Sequence, residues 1–257
     1  MNRPLARLRR TLAFLSRYPV SADAFAGGPH PLAADAAAFP LAGCLIALPG
    51  ALLLWAAVAA GLSPVTAALL AVTLGILISG ALHEDGLADT ADGLFGHHPR
   101  ARALEIMKDS RLGTYGGLAL ILSVLLRVAL LAEIAQASAA GGAAALLAAA
   151  AASRGGMVAL WHALPPARAD GIAHGQGRPD ARTSRAALCA AALGLVILGW
   201  TAAGAAGVGL ALVLALGAYA GFRAVLLRRL GGQTGDTLGA LQQLLEIAIL
   251  AGLALSA

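Results

Sequence analysis

Residues His83 to Gly96, HEDGLADTADGLFG, place four acids close together: Glu84, Asp85, Asp89 and Asp92. Asp85, Asp89 and Asp92 are spaced i, i+4 and i+7. On a helix that spacing sets them within about 60° of one another on one face. Carboxylates stacked in this way repel each other. A hard divalent cation with oxygen ligands relieves the repulsion, and Mg²⁺ suits such a donor set best. The same residues also fit a solvated acidic helix start, favoured by the helix dipole. The motif alone leaves both readings open.

Two further polar segments carry groups of interest. Glu105 to Gly116, EIMKDSRLGTYG, offers Lys108 and Arg111 as cations with Asp109 between them, and Gly113 and Gly116 as turn residues. Cations beside a metal site suit a phosphorylated substrate, because both neutralise phosphoryl oxygens. The alternative is a set of charge pairs on an interfacial loop. Gly231 to Glu246, GGQTGDTLGALQQLLE, puts Thr234 and Asp236 in a glycine-rich turn before an apolar run. Asp236 either caps the following helix or completes a metal site in three dimensions.

The elements that must position these groups are built for lipid. The 257-residue chain is 59% apolar and 12% charged, with mean hydropathy +0.80; a soluble domain carries about 25% charge. The apolar residues are mainly Ala, Leu, Val and Gly, types that let membrane helices pack closely. The expected fold is all-α: a polytopic integral membrane helix bundle of about seven transmembrane helices. Apolar runs of membrane length are placed at 39–62, 64–82, 115–137, 141–164, 186–203, 205–222 and 238–256. Pro40 and Pro49 are expected to kink or delay the first. Residues 1–38 form a separate N-terminal interfacial segment, and 39–257 a single transmembrane catalytic domain. Within the former, Leu5, Leu8, Leu12 and Leu15 recur at helical spacing among arginines, a basic amphipathic helix suited to a membrane surface. Arg17 and Pro19 break the apolar stretch that a cleavable signal peptide needs, so none is expected. No internal repeat is apparent.

Charge agrees with this division. Of the 18 Lys and Arg, only Arg127 and Arg154 fall inside the runs; of the 13 Asp and Glu, only Glu133 and Glu246 do. The connections near 63, 139 and 204 carry no charge. Segments 1–38, 83–114, 165–185 and 223–237 are therefore expected on one side. Their basic excess marks that side as cytoplasmic. The formal net charge of +5 follows from this bias and calls for no nucleic acid. Cys44 and Cys189 read as small apolar residues with no disulfide framework.

Charges at membrane depth are costly and usually face the bundle interior or a polar cavity. Arg127 with Glu133, or Arg154 with Glu246, would make structural pairs. Arg154 is the better candidate for function, gripping a substrate phosphate, because its run ends beside the polar loops. His162 reads as structural, and His97 and His98 as loop residues.

FLSRYPV at 14–20, FPLAG at 39–43, HEDGLADTADGLFG, EIMKDSRLGTYG and TGDTLGA at 234–240 together resemble the cobalamin synthase family, the adenosylcobinamide-GDP ribazoletransferases. The motifs span most of the chain in the family's order. The resemblance implies a Mg²⁺-dependent multi-pass enzyme of the bacterial inner membrane. Its reaction joins adenosylcobinamide-GDP to α-ribazole or α-ribazole 5′-phosphate with release of GMP. It places metal-site roles on Glu84, Asp85, Asp89, Asp92 and Asp236. It also implicates Lys108, Asp109 and Arg111, with Asp92 and Asp236 as candidates for the general base. The expected catalytic residues are thus Asp92, Asp236 and Lys108. The expected substrate contacts are Arg111, Asp109, Arg154 and Thr234. The chain departs from the family pattern at Gln242–Gln243, where many members carry a Glu.

Two other readings compete. CDP-alcohol phosphotransferases also use aspartates on membrane helices, but here Asp89 stands where their pattern has Arg. A transporter could use Arg127, Arg154, Glu133 and Glu246 as a pathway, although the charges concentrate on one face. Membrane lipid is an expected partner, and a homo-oligomer is one outcome the sequence leaves open.

Overall fold

The computed structural model describes residues 3–26, 28, 30–96, 98–168 and 175–256. Among them it is all-helical, with one isolated parallel bridge between Pro166 and Gln233 and no strands. The helices are α1 (Arg3–Leu15), α2 (Leu32–Asp35), α3 (Phe39–Ala59), α4 (Pro64–Ser79), α5 (Leu82–Phe95), α6 (Arg100–Ile106), α7 (Thr114–Ala137), α8 (Ala139–Ala163), α9 (Ala181–Arg229) and α10 (Gly235–Ala254). Short 3₁₀ turns at Ala22–Phe25 and Ala36–Ala38 link the first of them.

Five helical stretches are long and apolar enough to cross a membrane, and six if the bent pair α4–α5 forms one span. This is the polytopic bundle expected. The limits of the expected runs also hold closely in α3, α7, α8 and α10. Two departures have local causes. The expected runs at 186–203 and 205–222 lie in α9, whose helical backbone is interrupted at Ala203 and Gly204, with φ +65° at Gly204. The two arms fold back together: Leu188 and Leu195 share one cavity wall with Leu212 and Leu216. The run at 64–82 yields only the 16-residue α4. Gly80 (φ 67°) and Ala81 (φ 59°) then adopt left-handed conformations in succession, and the axis turns by 89° into α5. A left-handed residue ends the i→i−4 ladder, and glycine does so without a Cβ penalty. A side chain at Gly80 would also meet Arg17 Nε, 2.7 Å from its Cβ position. Pro40 sits in the first turn of α3, where its missing N–H is harmless, and Pro49 lies within a helix that continues past it.

α8 and α10 form the centre. Their small residues allow close backbone approach: Ala145, Ala148, Ala149 and Ala240 are fully enclosed. Gly50 lets α3 come within 2.8 Å of the Ala71 carbonyl of α4, measured from where its Cβ would stand. α1 lies against α3, with Arg10 gripping the buried Asp35 at 2.6 and 2.8 Å. That pair holds the N-terminal segment together, and Arg17 N–H donating to the Ile78 carbonyl at 2.7 Å and the Tyr18 hydroxyl to the Leu45 carbonyl at 3.3 Å tie it to the bundle.

The charged connections gather at one end. Arg17 N–H donates to Ile78 (2.7 Å), Ala167 N–H to Gln233 (2.7 Å) and Arg100 Nε to Leu230 (2.7 Å). The uncharged connections gather at the other. Ser138 caps α8 there at 3.1 Å, Gly141 faces Ala202, and Gly207 faces Ser256. The charge partition therefore corresponds to the two ends of one bundle.

Candidate active site

α5 carries all four acids and divides them between two environments. It packs against the first turns of α10 and α7 through Gly86 and Ala88. A Cβ at Gly86 would stand 2.7 Å from the Asp236 carbonyl, and one at Gly116 would stand 3.0 Å from that of Ala88. Glycine at 86 and 116 is thus a packing requirement. Asp85 is exposed at the charged end, and Asp89 and Asp92 are half-buried beside it, as the i, i+4, i+7 spacing requires. Glu84, 100° around the helix, is buried and points into the bundle.

Asp236 joins the aspartate face. Its backbone abuts Gly86, its side chain lines one cavity with Asp85, and it lies within electrostatic reach of Asp89. It does not cap α10. The cap is Thr234, whose hydroxyl accepts from Thr237 N–H at 3.2 Å while the Thr237 hydroxyl accepts from Thr234 N–H at 2.8 Å. This reciprocal box satisfies the orphan donors and leaves the Asp236 carboxylate for Arg168 at 2.9 Å and the Thr234 hydroxyl at 3.2 Å. Asp236→Asn is consequently expected to leave the melting temperature within a few degrees of wild type. Turnover should nevertheless fall at least tenfold, about 1.4 kcal/mol in the barrier. Equal turnover in both proteins would reduce Asp236 to a surface ion.

Asp92 takes a different role from the expected base. Its Oδ2 accepts from Gly113 N–H at 2.7 Å and its Oδ1 from Gly116 N–H at 2.8 Å. The residue before α7, in the capping position, is Gly113, which has no side chain to cap the helix, so a carboxylate from α5 does so. Any Cβ at Gly113 or Gly116 would collide with that carboxylate. Asp92 thus positions the KDSRLGTYG loop against the acid helix.

On that loop, Asp109 and Arg111 pair with each other at 2.5 to 3.0 Å. Hydrogen bonds from the Arg111 side chain and backbone N–H hold the Asp109 carboxyl down at about 2. Lys108 lines an open groove of about 600 Å³ with Arg100 and Arg168. Arg168 joins this site without a sequence signal that points to it. It lies in a Pro/Arg-rich connection without a motif, and only the Ala167–Gln233 and Pro165–Gln233 backbone bonds bring it to Asp236. It sits at the junction of the acidic face and the basic groove.

The membrane-depth charges form a separate cluster, in which the expected Arg127–Glu133 pairing is corrected while Arg154 stays within electrostatic reach of Glu246. Arg127 Nη2 donates to Glu84 Oε1 at 3.0 Å, and its Nη1 lies 3.7 Å from Glu246 Oε1. Glu133 is exposed on the lipid side of α7 and takes no part. Gln243 donates to Glu84 Oε1 at 3.1 Å and accepts from the Ser123 hydroxyl at 3.0 Å; Gln242 donates to Glu246. Gln243 thus serves the buried network, and so does Glu84, which is separated from the aspartate face expected to hold metal with it. Arg154 donates to its own Ala150 carbonyl at 3.0 Å and faces a cavity of about 40 Å³ between the buried charges. That volume holds a few waters and no phosphate, so the structure places Arg154 away from the aspartate face. His162 is structural, bonded through Nδ1 to the Pro179 carbonyl at 2.8 Å. His98 lies in the loop as expected, and His97 is outside the described residues. Neither described cysteine is paired.

Among the described residues no three His, Cys, Asp or Glu side chains converge on one metal position. The donor chemistry nonetheless fits Mg²⁺. Asp85, Asp89 and Asp236 share one face with Arg168 as the counter-ion within it. Mg²⁺ is commonly held by one or two carboxylates, water and substrate phosphate, without an all-protein cage.

The chain matches the family model described as cobalamin-5-phosphate synthase over residues 7–254. It belongs to the cobalamin-5-phosphate synthase family. It is 48% identical to the adenosylcobinamide-GDP ribazoletransferase of a Sinorhizobium species, over 96% of this chain and 95% of that protein. It is 46% identical to the protein of the same name from Brucella anthropi, over 96% and 95%. With that from Azorhizobium caulinodans it shares 49% identity over 98% and 96%. No solved structure matches it. The matched residues include the aspartate face, its loop and the buried network.

Proposed function

We propose that this chain is an adenosylcobinamide-GDP ribazoletransferase that uses Mg²⁺ and joins adenosylcobinamide-GDP to α-ribazole or its 5′-phosphate, releasing GMP. The observation that carries the reading is the meeting of an aspartate face with a basic groove at the Arg168–Asp236 ion pair. A phosphoanhydride needs both: cations for its oxygens and carboxylates for metal and proton.

In the reaction, a ribose hydroxyl oxygen bonds to the phosphorus next to the corrinoid. The anhydride bond to the other phosphorus breaks, and GMP leaves with the electron pair. Asp85 and Asp89 would hold Mg²⁺, with Asp236 alongside, and the ion would supply Lewis-acid neutralisation of the phosphoryl oxygens. Lys108 and Arg168 orient the phosphoryl oxygens from the groove. Asp236, held in place by hydrogen bonds from Arg168 and Thr234, accepts the hydroxyl proton. Asp92 keeps the 108–116 loop seated on α5.

Incubating purified protein with adenosylcobinamide-GDP, the riboside and Mg²⁺ tests the reading. GMP and cobamide should appear in equal amounts, and a chelator should stop both. Corrinoid crossing a vesicle bilayer without GMP formation would instead support the transporter.

The working face is cytoplasmic in the bacterial inner membrane, as the basic excess at that end indicates. The C-terminus ends α10 at the uncharged end, so a C-terminal reporter is expected to be active only in the periplasm. Activity in the cytoplasm would invert the orientation.

A further inference from the structure

Beside the aspartate face lies a second cavity, of about 190 Å³, between α1, α3, α5, α8 and α10. Its wall is apolar and aromatic: Phe14, Phe39, Met157, Trp161 and Leu238. Phe39 and Trp161 meet at 6.2 Å with rings tilted by 45°, and Trp161 is fixed by its Nε1 donating to the Gly177 carbonyl at 3.0 Å. Asp85 and Asp236 form the polar rim. His83, buried and without a partner for Nε2, is also in the wall.

No lysine or arginine among the described residues lines this cavity. The cations line the neighbouring groove, and the two spaces meet where Arg168 of the groove pairs with Asp236 of the rim. A cavity charged only by carboxylates repels a pyrophosphate, and at this volume it is too small for a corrinoid. At about 30 Å³ per water, it holds roughly six waters' worth of ligand, which is the scale of a two-ring aromatic base. Gln176, Asp85 and Asp236 offer partners to guanine as well, but the guanine of the donor brings a pyrophosphate that the two carboxylates repel. An apolar base with a single ring nitrogen loses little there.

We propose that this cavity is the acceptor subsite: it takes the aromatic base of the riboside, with the ribose hydroxyls at Asp85 and Asp236, and leaves the nucleotide-activated corrinoid to the basic groove. The inference rests on the proposed transferase reading. It explains how one mouth handles two substrates without competition, since the apolar space selects the neutral acceptor and the basic groove the anionic donor.

Trp161 offers a direct test. The other two of the chain's three tryptophans, Trp55 and Trp200, are exposed at 51% and 59%, so Trp55→Phe with Trp200→Phe leaves Trp161 as the sole reporter. In detergent-purified protein the riboside of 5,6-dimethylbenzimidazole should quench its fluorescence saturably, and GDP should not. Met157→Phe, which narrows the cavity, should raise the riboside's half-saturation and its KM by about tenfold or more, with the KM for adenosylcobinamide-GDP changed less than about twofold. Enzyme that makes GMP but shows no saturable riboside quenching would overturn the subsite and leave the transferase standing. Quenching by GDP, or a Met157→Phe effect confined to the corrinoid substrate, would assign the cavity to the donor. Absence of GMP formation, with riboside quenching intact, would overturn the transferase and the acceptor role with it, leaving a cavity that binds the riboside.

Discussion

Asp89→Asn and Asp85→Asn are each expected to lower the rate of GMP formation by about two to three orders of magnitude, while the protein keeps its fold. Both side chains leave α5 on the face that meets Asp236, and neither holds a helix end or an element contact in place. Losing one therefore removes charge and little packing. The rate loss corresponds to about 3–4 kcal/mol, the scale of stabilisation that a metal ion gives a transferring phosphoryl group. Asparagine keeps the shape and one acceptor oxygen, so the comparison isolates the negative charge. The check is single-turnover GMP release beside a thermal melt of each variant, with Mg²⁺ varied. Variants with the wild-type rate and wild-type Mg²⁺ dependence would make the aspartates a solvated helix face.

Arg127→Ala is expected to have the largest effect on stability, a loss of about 3–5 kcal/mol. It strips the counter-ion from Glu84, 3.0 Å away, and from Glu246, 3.7 Å away, and both are buried. Removing one partner of a buried pair leaves an uncompensated charge, which costs far more than the pair itself contributed. Glu84 is in the first turn of α5, so its release also loosens the helix that carries the aspartates. Arg127→Met combined with Glu84→Gln should recover at least half of the lost stability, because both charges leave together and Glu246 still has Arg154 nearby. Thermal unfolding in one detergent compares the three proteins. Equal melting temperatures for single and double variants would show that the pair carries no such coupling.

The sequence by itself determined the fold class and the helices that make it. Apolar runs of membrane length have few alternatives in lipid, because every backbone polar group must be satisfied within its own helix. It also determined the aspartate face, since i, i+4 and i+7 share a side on any helix, and the separation of charged from uncharged ends. These are local or additive properties. Tertiary structure alone decided partnership. Glu84 differs from Asp85 by one position and 100°, and that rotation sends it to Arg127, which no spacing rule connects to it across 43 residues. Asp92 became a cap for α7 because Gly113 cannot cap itself and α5 passes close by. Arg168 reached Asp236 across 68 residues through backbone bonds of loops with no periodicity to read. Arg154 sits at the same chain depth in either reading, but the packing of α3 and α10 around α8 turned it inward, where a charge is tolerated because other charges surround it.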